Sequence, residues 1–232
     1  MKNLTLYAAL IFTGHIFSAQ VWWRDFWVVT MAMVVFIIVA SAVYFFNDLV
    51  DIKADLAHPF KKKRPIAAGK ISQPLAWLLF LGRSILGLGW AYRLSVLYFG
   101  VVAGYWLLQI LYSVWLKNIE VVDVFVIALG FFLRVLAGSI VINAHLSIWF
   151  LLCVISTSLF LAVGKRRAEM AILAEQAAAH RKVMGKYSAS ILDAYLAMFA
   201  TASFLSWSLF SFNIYEQGGV LSTPTSLILT SR

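Results

Sequence analysis

The sequence predicts an all-α integral membrane protein, a bundle of about seven full spans followed by a truncated eighth, and three observations predict it. Of 232 residues, 62% are hydrophobic and 12% charged, with mean hydropathy +0.88; a soluble domain is about a quarter charged. Apolar runs of about 20 residues, the length that crosses a bilayer, recur along the chain. Lys and Arg concentrate in alternate loops, as in cytoplasmic loops of membrane proteins. No linker or low-complexity tract divides the chain, so 1–232 is read as a single transmembrane domain.

The first span is read near 4–22. Its start, MKNLTLYAALIFTGHIF, has a minimal charged region and no clear small-residue cleavage site, which favours a retained helix over a signal peptide. The second, 27–46, holds the run Val28 to Phe46 and opens into a polar segment, 47–72. Spans near 73–92, 95–116, 121–142 and 147–164 follow. An alanine-rich polar segment, 165–189, reads as helical, and 190–213 is the seventh span. An eighth begins near Gly218 and reaches Arg232 without the length to cross, so the chain is expected to be cut short there. The single cysteine, Cys153, excludes an internal disulfide and is expected in an apolar core.

Loop charge sets the expected orientation. Lys53, Lys61, Lys62, Lys63, Arg64, Lys70, Lys117, Lys165, Arg166, Arg167, Arg181, Lys182 and Lys186 follow even-numbered spans, whereas Arg24 and Arg93 lie opposite. The N-terminus and the even loops are therefore expected in the cytoplasm, with the chain crossing the cell (inner) membrane many times. The net charge of +9 fits anionic headgroups and phosphate substrates better than nucleic acid, because the cations flank membrane segments.

Chemistry is concentrated at the end of the second span, in Asn47-Asp48-Leu49-Val50-Asp51-Ile52-Lys53-Ala54-Asp55. On a helix, Asp48, Asp51 and Asp55 fall within an arc of roughly 60°. Three carboxylates on one arc repel unless a cation sits among them. Mg²⁺ takes such oxygen ligands together with substrate phosphates. Asn47 adjoins them as a donor to phosphate or a helix cap. The basic stretch that follows contains Lys61 and Arg64, the latter made extended by Pro65. A guanidinium held there can grip phosphate; Lys62 and Lys63 read as membrane anchors.

Lys165 and Arg166 open the second polar segment as phosphate contacts, with Glu169 either a metal or water contact or a plain helix partner of Lys165. Arg134 lies inside the fifth span, where an ionisable residue is a functional candidate. Asp123, eleven residues and about 16 Å away along the helix, is too distant to pair with it. Tyr112 and Lys117 end the fourth span on the same side as the triad. Asp193, in the seventh, reads as an interhelical hydrogen bond or a proton relay. The absence of a P-loop disfavours an ATP-driven pump.

These residues resemble the UbiA superfamily of intramembrane prenyltransferases. NDLVDIKAD fits its NDxxDxxxD motif, YSVWLK its Tyr and Lys closing the fourth helix, and GKRRAEM the position of its second polar motif. KNLTLYAALIFTG, DLAHPFKKKRPIAAGKIS and DVFVIALGFFLRVLAG extend the likeness over most of the chain. Lys165 to Glu169 stands where the usual prenyltransferase has DxxxD, which points to a phosphoribosyl-transferring branch.

The resemblance implies a nine-helix bundle, against which this chain is expected to be short at both ends. It implies Mg²⁺ on Asp48, Asp51 and Asp55, phosphoribosyl pyrophosphate as donor and a polyprenyl phosphate lipid as acceptor, in cell-wall glycan synthesis. Substrate contacts would come from Asn47, Lys61, Arg64, Tyr112, Lys117, Arg134, Lys165, Arg166 and Glu169. Prenyl transfer from a diphosphate to an aromatic acceptor needs the same triad and stays open, as do a transporter that uses the triad as a cation site and an inactive remnant.

Overall fold

The computed structural model describes residues 2–13, 21–57, 60–119, 121–176 and 188–216, the side chains of Lys2, Glu169, 171–176 and 213–216 excepted. All the regular structure in them is helical. A 3₁₀ turn, Lys2–Leu6, leads into α1 (Tyr7–Phe12); then come α2 (Trp22–Val50), α3 (Ile52–Ala57), α4 (Gln73–Leu94) and α5 (Val96–Val114). The series ends with α6 (Val122–Val141), α7 (Ile148–Gln176) and α8 (Ala189–Glu216). Among the described residues, six helices, α2 and α4 to α8, are long and apolar enough to cross a membrane. The expected first span is helical to Phe12 and turns at Thr13; 14–20 and the expected eighth span lie outside the described residues.

α2 and α6 form the inside of the bundle. Half of the α6 span and 44% of the α2 span are buried, against 11% for α8, so most side chains of α8 lie on the outside of the bundle. α2 buries Val29, Ala32, Val35, Phe36, Val39 and Val43 along one stripe, at the three- and four-residue spacing of a helix face. It packs on α4, α5 and α6, while α7 joins α6 to α8. Ala32, Ala40, Ala91 and Ala137 line this core, because close backbone approach is what draws helices together in lipid. Ser95 alone, in extended conformation, reverses the chain between α4 and α5.

The N-terminal segment is part of the core. Leu6, Ala9 and Leu10 are fully enclosed, and Leu6 lies across α6 at Gly138. A Cβ on Gly138 would stand 2.1 Å from the Leu6 carbonyl oxygen, an overlap that only backbone movement relieves. Gly138→Ala is therefore expected to lower Tm in detergent by about 3–10 °C, the range of overpacked cores. Gly82→Ala, where a Cβ meets nothing within 4 Å, is the control and should leave Tm unchanged. Equal behaviour of the two variants would show that Leu6 does not dock on α6.

Two expectations change in the structure. Cys153 is half-buried at the α7–α8 seam, 3.9 Å from the Ser203 carbonyl oxygen, and not in a closed core. The aspartate motif is not one unbroken helix either. α2 stops at Val50, and Asp51 sits at φ −92°, ψ 4° before α3 begins, in the bridge region between helix and turn. Asp51 N still donates to Asn47 O (2.9 Å) and Asp55 N to Asp51 O (2.8 Å), which keeps the three carboxylates near a common arc across the break.

Candidate active site

Local structure after α3 aims Arg64 at the carboxylates. Arg64 is extended (φ −60°, ψ 144°) after the 3₁₀ turn Lys61–Lys63, as a residue before proline should be. Pro65 to Ile71 then fold into a tight loop: Ala68 N donates to Arg64 O (2.7 Å), Gly69 N to Ile66 O (3.0 Å) and Lys70 N to Pro65 O (2.9 Å). Gly69, at φ +72°, is where the loop needs a residue free of a Cβ, and Ile66 anchors it by burial. From this mount, Arg64 Nη1 donates to Asp48 Oδ1 (2.8 Å) and Asp55 Oδ2 (2.9 Å).

The other carboxylate and its neighbours are held from α5 onward. Lys117 Nζ pairs with Asp51 Oδ1. The Ser113 hydroxyl donates either to Asn47 Oδ1 (3.1 Å) or to Gln109 O (2.9 Å). Arg166, on α7, pairs with Asp123, which is buried at the start of α6. These contacts, and the Arg167–Asp193 pair, gather at one end of the bundle; Arg24 and Asp25 pair at the other.

A cavity of about 580 Å³ opens here and runs inward to Arg134. It is lined by Asn47, Asp48, Asp51, Asp55, Lys61, Arg64, Tyr112, Lys117, Arg134, Lys165 and Arg166. The side chain of Glu169, the remaining sequence candidate, lies outside the described residues, as does His58. Asp193 resolves as a tie between helices: Arg167 Nε on α7 donates to its Oδ1 at 2.8 Å. Tyr44, Tyr105, Gln109, Ser113 and Asn118 also line the cavity and were not anticipated. Tyr105, Gln109 and Ser113 recur every fourth residue in an otherwise apolar span, a polar stripe that spacing alone can reveal. Arg83, inside α4, was also overlooked; its guanidinium lies over the Phe45 ring at 4.9 Å, away from the cavity lining.

The charge pattern defines what the cavity can take. Six cationic side chains face three carboxylates, so the lining attracts anions even with every acid ionised. Among the described residues no three His, Cys, Asp or Glu side chains are grouped closely enough to hold a metal alone. Yet Asp48 and Asp55 each place an oxygen within 2.9 Å of one guanidinium nitrogen. A cation is therefore already accommodated between them, and the donors are the hard oxygens that suit Mg²⁺. Mg²⁺ commonly takes one or two carboxylates and completes its shell with water and substrate phosphate, so a closed protein cage is not required.

Comparison with known proteins agrees with this layout. A model of the UbiA prenyltransferase family matches residues 7–230. The chain is 37% identical over 184 residues to decaprenyl-phosphate phosphoribosyltransferase of Mycobacterium tuberculosis, which covers 79% of this chain and 61% of that protein. It is 35% identical over 220 residues to the Corynebacterium glutamicum protein of that name, covering 93% and 65%. The chain thus spans about three fifths of the length of the curated relatives it matches. A UbiA homolog from Archaeoglobus fulgidus, solved bound to GPP and Mg²⁺, superposes with TM-score 0.65 at 18% identity, over 90% of this chain and 77% of that one. The all-helical bundle and a family match over nearly its whole length establish that this chain belongs to the UbiA prenyltransferase family.

Proposed function

We propose that this protein transfers 5-phosphoribose from phosphoribosyl pyrophosphate to a polyprenyl phosphate at the cytoplasmic face of the cell membrane, with Mg²⁺, as a step toward cell-wall glycan. The observation that carries the reading is the cavity itself, in which a carboxylate pair with a cation position is ringed by an excess of cations at the mouth of a membrane bundle. The names of the relatives from Mycobacterium tuberculosis and Corynebacterium glutamicum supply the substrate class.

In this reading Asp48, Asp51 and Asp55 would hold Mg²⁺ together with water and substrate phosphate, and the metal would neutralise pyrophosphate charge. Lys61, Arg64, Lys165 and Arg166 carry the charge that grows on the departing pyrophosphate. A phosphate oxygen of the lipid bonds to ribose C1 as the bond from C1 to the pyrophosphate oxygen breaks. The nucleophile is anionic near neutral pH, so the side chains need only orient it and need not remove a proton. Lys117 draws Asp51 toward α5, and Asn47, fixed by Ser113, stays beside the triad. The apolar outer surface lets the lipid tail remain in the bilayer while its phosphate enters.

The test supplies membranes carrying the chain with Mg²⁺, radiolabelled phosphoribosyl pyrophosphate and a polyprenyl phosphate. Label should enter the lipid phase with the natural chain and fall to background with Asp51→Ala. Label moving instead from a prenyl diphosphate to an aromatic acceptor would overturn phosphoribosyl transfer.

A further inference from the structure

Arg134 differs in kind from the cations at the mouth of the cavity. Arg64, Lys117 and Arg166 each pair with a carboxylate. Arg134 lines the same cavity, is 5% exposed, and among the described residues pairs with none. Its hydrogen-bond partners among the described residues are neutral: Nε donates to Asn3 Oδ1 (2.9 Å), Nη1 to Gly130 O (2.5 Å) and Nη2 to Tyr105 OH (2.8 Å). Its guanidinium also lies over the rings of Tyr105 (4.7 Å) and Phe36 (5.3 Å). Arginine has five N–H groups, so each terminal nitrogen keeps one that these bonds do not use.

Burying a charge without a counter-ion is costly, and at membrane depth the cost is sustained mainly where the charge has a use. Anchoring the N-terminal segment through Asn3 needs one donor and no charge. One turn earlier on the same helix stands a glycine: a Cβ on Gly130 would stand 3.2 Å from Gln109 Nε2 and 3.4 Å from Arg134 Nη1, narrowing the space beside the guanidinium.

The geometry points to Arg134 as a second anion site, which takes a phosphate monoester deep in the cavity while the pyrophosphate sits at the mouth. This rests on the function proposed above and assigns the site's inner end. Along α5, Tyr105, which accepts from Arg134, and Ser113, which contacts Asn47, are eight residues apart, about 12 Å of helix, which sets the inner end of the cavity apart from its mouth. Two phosphate monoesters meet in that reaction, the 5-phosphate of the donor and the phosphate of the lipid, and either offers a dianion to a guanidinium fork.

The deciding experiment is calorimetric titration of the purified chain in detergent with Mg²⁺ and three probes: ribose 5-phosphate, farnesyl phosphate and inorganic pyrophosphate. Arg134→Gln should weaken one monoester about 10- to 100-fold, the worth of a charged hydrogen-bond pair. Pyrophosphate should change less than threefold, and Arg134→Lys should recover part of the loss. The monoester affected identifies the source. Unchanged binding of both monoesters, failure of the natural chain to bind either, or equal weakening of all three probes would overturn the site. If Arg134→Gln does not fold, Arg134→Lys alone decides, with a smaller loss confined to one monoester expected and no loss overturning it. Failure of the natural chain to bind pyrophosphate with Mg²⁺ would count instead against the proposed function of the mouth.

Discussion

Asp55→Asn is expected to lower label transfer into lipid by about 10²- to 10³-fold while leaving the chain folded. Asp55 is the most enclosed of the three motif carboxylates, 3% exposed against intermediate exposure for Asp48 and Asp51. Its Oδ2 is one of the two oxygens that converge on Arg64 Nη1. Asparagine keeps the shape and one oxygen but removes the charge that a divalent cation on pyrophosphate needs. Losing about 3–4 kcal/mol of transition-state stabilisation corresponds to that fall in rate. Folding should change by only about 1 kcal/mol, because Arg64 retains Asp48 and is itself a third exposed. Initial rates at several Mg²⁺ concentrations, with Tm measured alongside, check both halves. A folded Asp55→Asn chain within tenfold of the natural rate would remove Asp55 from the proposed metal site.

Much of this architecture is legible in the sequence, for physical reasons that differ from element to element. A bilayer forces long, continuous apolar helices, so the spans that became α4, α5 and α6 are bounded to within two residues by hydropathy alone. α2 is harder to bound because Trp22, Trp23, Arg24 and Asp25 are polar or amphipathic yet remain helical. Arg64 is legible because Pro65 dictates its backbone. Its double contact with Asp48 and Asp55 is not, since it depends on the loop closing over Ile66. Long-range partners leave no trace in spacing: Asn3 and Arg134 are 131 positions apart, and Ser113 and Asn47 are 66 apart. Asp193 is isolated within its own span and acquires meaning only when α8 lies against Arg167 on α7.

Arg64→Gln is expected to give a two-sided result that separates a phosphate contact from a metal competitor. In the structure Arg64 occupies the cation position between Asp48 and Asp55. A divalent cation arriving alone must displace it, whereas one arriving with pyrophosphate offers the guanidinium a new anion to follow. Removing the guanidinium should therefore tighten binding of Mn²⁺, the paramagnetic substitute for Mg²⁺, when no phosphate is present. It should also lower transfer about 100-fold or more, because the departing pyrophosphate loses a charged donor. Without metal, two carboxylates are left facing each other across a partly buried gap. The loss of the pair, discounted for exposure, costs about 1–2 kcal/mol. Mn²⁺ should restore most of the lost Tm, since a ligand that binds only the folded chain stabilises it. Electron paramagnetic resonance of free Mn²⁺ reads the affinity directly. Weaker Mn²⁺ binding in Arg64→Gln would mean that the guanidinium organises the carboxylates for the metal and does not compete for them.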